Sequence, residues 1–144
     1  GMKTKQNSGD VTVTCNGSPS YIHGDICGGN ITYTPSSTNS KIIVTLSVGL
    51  ANVGTNTDVG HSLSLTIAQS GGINQTNLYK SPHGNYIGGG GRPAYDNDLM
   101  QMRIFDNTST NQITLTGQGY VYSEGTNQSI SFKKPSLTLM EVEA

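Results

Sequence analysis

The nineteen residues Ile31–Gly49, ITYTPSSTNSKIIVTLSVG, constrain the fold more than any other stretch. A short strand-forming run stops at Pro35, which has no N–H to give to a sheet ladder. A cluster of Ser, Thr and Asn follows, residues whose side chains bond nearby backbone and so favour turns over helix interiors. Lys41–Val48 then alternates, with Ile42, Val44, Leu46 and Val48 on one face and Ile43, Thr45 and Ser47 on the other. A period of two belongs to a strand and not to a helix.

The same pattern recurs along the chain. Asp10–Asn16 places Val11, Val13 and Cys15 on one face, Ser62–Ala68 aligns Leu63, Leu65 and Ile67, and Leu99–Phe105 aligns Met100, Met102 and Ile104. Gln112–Thr116 and Gly119–Ser123 read as two strands, or as one strand with a bulge at Gly117 or Gly119. Gln128–Lys133 and Ser136–Val142 close the chain on either side of Pro135. Ser81–Asp98, which holds Gly88–Gly91, is the longest loop-like region, and Ile73–Lys80 reads as a short irregular strand. No apolar set repeats at helical spacing over three turns. The expected class is all-β, a jelly-roll-like antiparallel β-sandwich of about 8–10 strands. Residues 1–9 are expected to be loose or tag-derived, Gly1 reading as an expression remnant, and 10–144 to form a single sandwich domain. Leu46, Val48, Leu65, Ile67, Ile104, Ile130, Phe132 and Leu139 are expected in the core or at an interface.

Composition bears on how such a sandwich is stabilised. Of 144 residues only 33% are hydrophobic and 12% charged, against about 25% charged in an ordinary domain. A thin core under an uncharged surface suggests that copies of the chain shelter a flat face against one another. Disorder normally accompanies high net charge, whereas the formal net charge here is -1. That balance argues against nucleic acid, whose partners carry clustered Lys and Arg. No apolar run approaches the ~20 residues of a membrane span, and Met2-Lys3-Thr4-Lys5-Gln6 leads into no apolar stretch of the kind a signal peptide needs. Cys15 and Cys27 are the only cysteines. They are expected as free, buried or half-buried thiols, a Cys15–Cys27 bridge being the alternative, and neither has zinc-ligand spacing.

Thr32–Val48, TYTPSSTNSKIIVTLSV, resembles a segment of the C-terminal domains of bacteriophage tail-fibre and other virion-appendage proteins, especially those of marine phages. Gln101–Thr110, QMRIFDNTST, is similar to a later strand and Asp-rich turn of those domains, and Ser136–Val142, SLTLMEV, to their terminal strand. The three pieces keep the same order from about Asn30 to Ala144. The resemblance implies a jelly roll of the tumour-necrosis-factor-like and C1q-like kind, commonly a homotrimer. It also implies a place on a virion and a role in binding a host surface or building a fibre tip. Such fibres usually carry a long N-terminal shaft or attachment region, of which this sequence holds almost none, as expected of a trimmed piece, a small separate fibre component or a member of another jelly-roll family.

Catalytic groupings are not evident. His61 near Asp58 lacks a nucleophile held by it, and no GxSxG elbow occurs. Asp96, Asp98, Asp106 and Glu124 are the only pool for a carboxylate pair, and no spacing singles out two of them. Asp96-Asn97-Asp98 lacks the glycine and distal Glu of an EF-hand loop, and Gly88–Gly91 lacks the phosphate-loop form. The chain is therefore expected to be no enzyme and to use no cofactor or metal. The recognition residues expected are Tyr79, Tyr86 and Tyr95 with His83, Asn85 and Arg92, because exposed tyrosines beside polar groups suit a sugar or protein surface. The reading that follows is a non-enzymatic appendage domain, with a β-sandwich carbohydrate-binding module as the alternative. Its expected partners are two further copies in a homotrimer and a host-surface glycan or protein, with no nucleic acid and no membrane insertion.

Overall fold

The structure, a computed structural model, describes residues 1–6, 9–15, 20–54, 59–79, 85–87, 94–123 and 128–143, with backbone alone at 20, 50–54, 59, 85–87, 94–98, 123 and 128. The chain forms β1 (Met2–Gln6), β2 (Asp10–Cys15), β3 (Ser20–Asp25), β4 (Ile31–Tyr33), β5 (Ser40–Gly54) and β6 (Val59–Gln69). It continues as β7 (Asn74–Tyr79), β8 (Asn85–Ile87), β9 (Ala94–Asn107), β10 (Ile113–Ser123), β11 (Gln128–Lys133) and β12 (Ser136–Glu143). Two six-stranded sheets result.

Several segments run end to end and make one column between them. β12 and β11 share one edge of β5, with β9 on its other edge, and β1 and β2 lie beyond β12 and β11. In the second sheet β3 and β4 share one edge of β10, β6 takes the other, and β7 and β8 share the far edge of β6. Numbered along the chain, the eight columns stand in the orders 1-8-3-6 and 2-7-4-5, all antiparallel. That double Greek key is the jelly roll, and the eight columns account for the strand number expected from sequence.

The two sheets meet through the alternating faces. Ile42, Val44, Leu46 and Val48 of β5 pack with Leu63, Leu65 and Ile67 of β6, and Ile113, Leu115 and Val121 of β10 pack with Ile130, Phe132, Leu137 and Leu139. Of the expected core or interface residues, seven are buried here, while Ile104 stands exposed on the outside of the first sheet. β10 is continuous and its pairing with β6 runs without a register shift, so Gly117 and Gly119 make no bulge. They instead leave room for the opposite sheet. A Cβ on Gly119 would lie 2.5 Å from the Phe132 ring, and one on Gly117 would lie 3.0 Å from Leu46 Cδ1, as well as 2.9 Å from Cys27 Sγ in the β3–β4 connection. Cys15 and Cys27 are free, buried thiols, and burial, with Asp25 nearby, pushes Cys27 up to about 12.

Two stretches differ from the sequence reading. Met2–Gln6, within the segment expected to be loose, pairs with Ser136–Met140. The unpaired edge of β12 satisfies its backbone, which needs no apolar side chain. Within the expected loop 81–98, Asn85–Ile87 extends the edge of β6 and Ala94–Asp98 lengthens β9 along β5. Neither segment contains glycine, and Gly88–Gly91, on which the expectation of a loop rested, lie outside the described residues.

The three segments that carry the resemblance converge at one end of the sandwich. Glu141 of β12 accepts hydrogen bonds from Tyr33 Oη (2.7 Å), Ser36 N (2.9 Å) and Ser40 Oγ (2.8 Å), and a longer one from Ser37 N. Burial alone would raise this carboxyl, yet the donors from Ser36, Tyr33 and Ser40 outweigh it and hold Glu141 at about 2. Asn107, at the end of β9, donates from Nδ2 to Ser37 O (2.6 Å) and Ser40 Oγ (3.2 Å). The turn after Pro35 is thus tied to both β12 and β9.

Candidate functional site

The outer face of the second sheet carries a cluster of aromatic rings. Alternation sends Tyr21 and His23 of β3 and Tyr120 of β10 outward, since Tyr120 stands opposite both His23 and Ser62 in register. Tyr79 arrives by a different route. Between the pairs Ile67–Gln75 and Leu65–Leu78, β6 contributes one residue and β7 two, so β7 is bulged at Thr76 and Asn77. Asn77 adopts φ 52°, a left-handed conformation that Asn tolerates better than most residues, and its N–H donates to Thr66 Oγ1 at 3.0 Å. The extra residue inverts the alternation beyond it. Tyr79 therefore pairs with outward Ser64, and Leu78 turns to the core side.

The rings touch one another over a small-residue floor. Centroids lie 5.0 Å apart for Tyr79–Tyr120 and for His23–Tyr120, and 5.3 Å apart for His23–Tyr79. Tyr21 meets His23 edge-on at 5.9 Å. His23 Nε2 and Tyr79 Oη share a 2.7 Å hydrogen bond. Beneath them Ser62 and Ser64 are buried, Tyr120 is only 5% exposed, and Tyr21 projects with 64% exposure. Burial lowers the His23 pKa below its usual 6.5, so the imidazole is neutral near pH 7. The Tyr79 and Tyr120 hydroxyls are raised, by burial first and then by neighbouring tyrosines. The cluster is uncharged, with flat rings and ring-edge polar atoms. Such a surface stacks on and hydrogen-bonds to a neutral ligand.

β7 is held from behind. Arg103 of β9 donates from Nη2 to Tyr79 O (2.6 Å), and Gln101 from Nε2 to Leu78 O (2.9 Å). These bonds cross from one sheet to the other and fix the strand that carries Tyr79.

Of the six expected recognition residues, Tyr79 joins the cluster. The backbones of Asn85 and Tyr86 lie on the same sheet, opposite His61 and Gly60, whereas that of Tyr95 lies on the first sheet opposite Asn52. His83 and Arg92 lie outside the described residues. Sequence reading missed Tyr21, His23 and Tyr120. The signal was their spacing: 21 and 23 are two apart on one strand, and Tyr120 and Tyr122 two apart on another. Only the strand register shows that these pairs meet.

No protein-family model matches the chain, and comparison with curated proteins finds no match. Among solved structures, one of infectious bursal disease virus (Gx strain) aligns with TM-score 0.47 at 13% identity, over 97% of this chain and 32% of that one. The sugar-binding EclA C-terminal domain aligns with TM-score 0.44 at 14% identity, over 91% and 78%. Eiger TNF from S. frugiperda aligns with TM-score 0.38 at 8% identity, over 99% and 94%. These are distant likenesses of a jelly-roll β-sandwich, and the chain spans about a third of the viral chain's length.

Proposed function

We propose that this chain is a non-enzymatic domain of a virion appendage of the tail-fibre kind, acting as a homotrimer in host-surface attachment or as a structural fibre tip. The observation that supports this reading is the convergence of its three resemblance-bearing segments. Residues 32–48, 101–110 and 136–142 are far apart in sequence, yet Glu141 and Asn107 bond them into one corner of the sandwich. The resemblance thus falls on residues that hold the scaffold together, which chance similarity between Ser/Thr-rich turns does not require. The scaffold in turn presents Tyr21, His23 and Tyr79, backed by the buried Tyr120, as a rigid recognition surface suited to a host glycan.

A second reading, a carbohydrate-binding module not tied to a virion, draws on the aromatic cluster alone. Light scattering combined with a glycan array separates the two. The appendage reading expects three times 15.2 kDa, with glycan binding weakened at least tenfold by Tyr21→Ala. A monomer that binds one sugar class tightly transfers the assignment to the module. A monomer that binds none overturns both.

A further inference from the structure

Beside the aromatic rings runs a row of polar residues that the cluster leaves unused. Register lines up Asp25, Gln118, Ser64 and Tyr79 across β3, β10, β6 and β7, next to the row of His23, Tyr120 and Ser62. Both rows stand on the outer face, about 7 Å apart, since two residues of a strand rise roughly 3.4 Å each. Asp25 and Gln118 are each held in a fixed orientation. Asp25 Oδ1 accepts from Cys27 N (2.9 Å) and Oδ2 from Gly29 N (3.0 Å), in a turn where Gly28 and Gly29 take φ 74° and 120°. Its side chain is exposed and makes no ion pair among the described residues. An ionised carboxylate offers about four acceptor positions, so each oxygen keeps room for a further donor. Gln118 is fixed from the opposite side. Its Oε1 accepts from Ser64 Oγ and Thr66 Oγ1, both at 3.2 Å. These bonds turn the amide oxygen towards β6 and Nε2 away from it. Among the described residues none accepts from that Nε2.

We propose that Asp25 and Gln118 select the sugar that the rings stack on, and that this sugar is a neutral hexose presenting two adjacent hydroxyls. The inference rests on the glycan reading above and names its ligand class and specificity residues. A ring face discriminates weakly between sugars, whereas a fixed hydrogen-bonding group rejects an analogue that lacks its hydroxyl. One hydroxyl donates to an open position on the Asp25 carboxylate, a charge-assisted bond and so one of the stronger kind. Its neighbour on the sugar ring accepts from Gln118 Nε2. Acidic sugars are refused. Neither row holds a Lys or Arg to receive a carboxylate or sulfate, and Asp25 meets such a group with like charge.

The test titrates the full chain and its Asp25→Asn, Gln118→Glu and Tyr21→Ala variants with methyl galactoside, methyl glucoside and methyl mannoside. The monodeoxy forms of these glycosides and the galacturonic and glucuronic acids complete the set. At least one neutral glycoside is expected to bind the parent, and Asp25→Asn and Gln118→Glu are each expected to weaken it about tenfold or more. Gln118→Glu keeps an oxygen for Ser64 and Thr66 and replaces only the Nε2 donor, so it decides the matter even if Asp25→Asn disturbs its turn. Deleting the hydroxyl that meets Gln118 should cost the parent a similar factor but Gln118→Glu less than about threefold, the coupling expected of direct partners. Full affinity in Gln118→Glu together with loss in Tyr21→Ala overturns the selection while leaving the glycan reading intact. Tighter binding of a uronic acid than of its neutral counterpart overturns it too. If none of the three neutral glycosides binds, the inference falls, and a glycan array shows whether the glycan reading falls with it.

Discussion

Glu141 illustrates how one side chain sets a pH window. Its carboxylate is ionised in the folded protein down to about pH 2, against the ordinary 4.5. The unfolded chain therefore takes up the proton first as acid is added. Stability from this group is complete above about pH 5 and falls as pH drops from 4.5 towards 2. Glu141→Gln is expected to lower stability at pH 7 by about 2–3 kcal/mol, because the amide turns an N–H group towards the Ser36 and Ser37 donors. Urea melts at pH 7 and pH 3 check this. The variant should lose most of its deficit at the lower pH, and an undiminished deficit would assign it to packing instead. Asn77 acts chiefly through its backbone, its Oδ1 accepting only a long 3.5 Å hydrogen bond from Thr66 Oγ1. Asn77→Gly should be close to neutral and Asn77→Val should cost about 1–2 kcal/mol. Thermal melts of both distinguish a strained left-handed position from lost side-chain bonding, which would penalise Gly as well.

At the scale of elements, polar side chains lock strands where apolar ones are scarce. Gln69, at the end of β6, shares its amide hydrogens among Asn107 Oδ1 (3.1 Å), Ser109 O (3.1 Å) and Asn111 O (2.9 Å), and its Oε1 accepts from Ile73 N (3.0 Å). One side chain thus fastens β6 to the β9–β10 turn and to the start of β7. Gln69→Ala should cost about 2–4 kcal/mol, since it strands several buried partners. Hydrogen exchange should quicken locally at residues 107–113 and at Ile73; a uniform rise across the chain would deny the local tie. Such ties explain what sequence reading reached. Strands with strict alternation, such as Lys41–Val48 and Ser62–Ala68, were legible because one face had to be apolar. Gly119 looked like a bulge because its need is spatial: only the opposite sheet reveals Phe132 against it. β1 was invisible because an edge strand with every side chain exposed leaves no hydrophobic pattern. The aromatic cluster was half legible. Tyr79 stood out by its residue type, but its partners come from β3 and β10, and a bulge decides which way it faces.

For the whole molecule, the pairing of first strand with last sets how the sandwich closes. β12 is flanked by β5 on one side and β1 on the other, and it brings Leu137, Leu139 and Glu141 into the interior. The first sheet is therefore incomplete until β12 is in place. Nearly every ladder joins segments distant in sequence, so loop closure must precede the contacts that reward it, and refolding should take milliseconds to seconds. A chain ending at Lys134 is expected not to fold. It loses the two buried leucines, at about 2–5 kcal/mol each if truncated singly, and leaves the Ser36–Ser40 turn without its carboxylate, against a total stability of about 5–15 kcal/mol. Removing Gly1–Gln6 instead takes away only an exposed edge strand, and that chain should fold with a modestly lower Tm. Circular dichroism and dispersed amide resonances read both. If the chain ending at Lys134 folds, the interior is held without β12. If instead the loss of residues 1–6 unfolds the protein, the edge of β12 matters more than the core it borders.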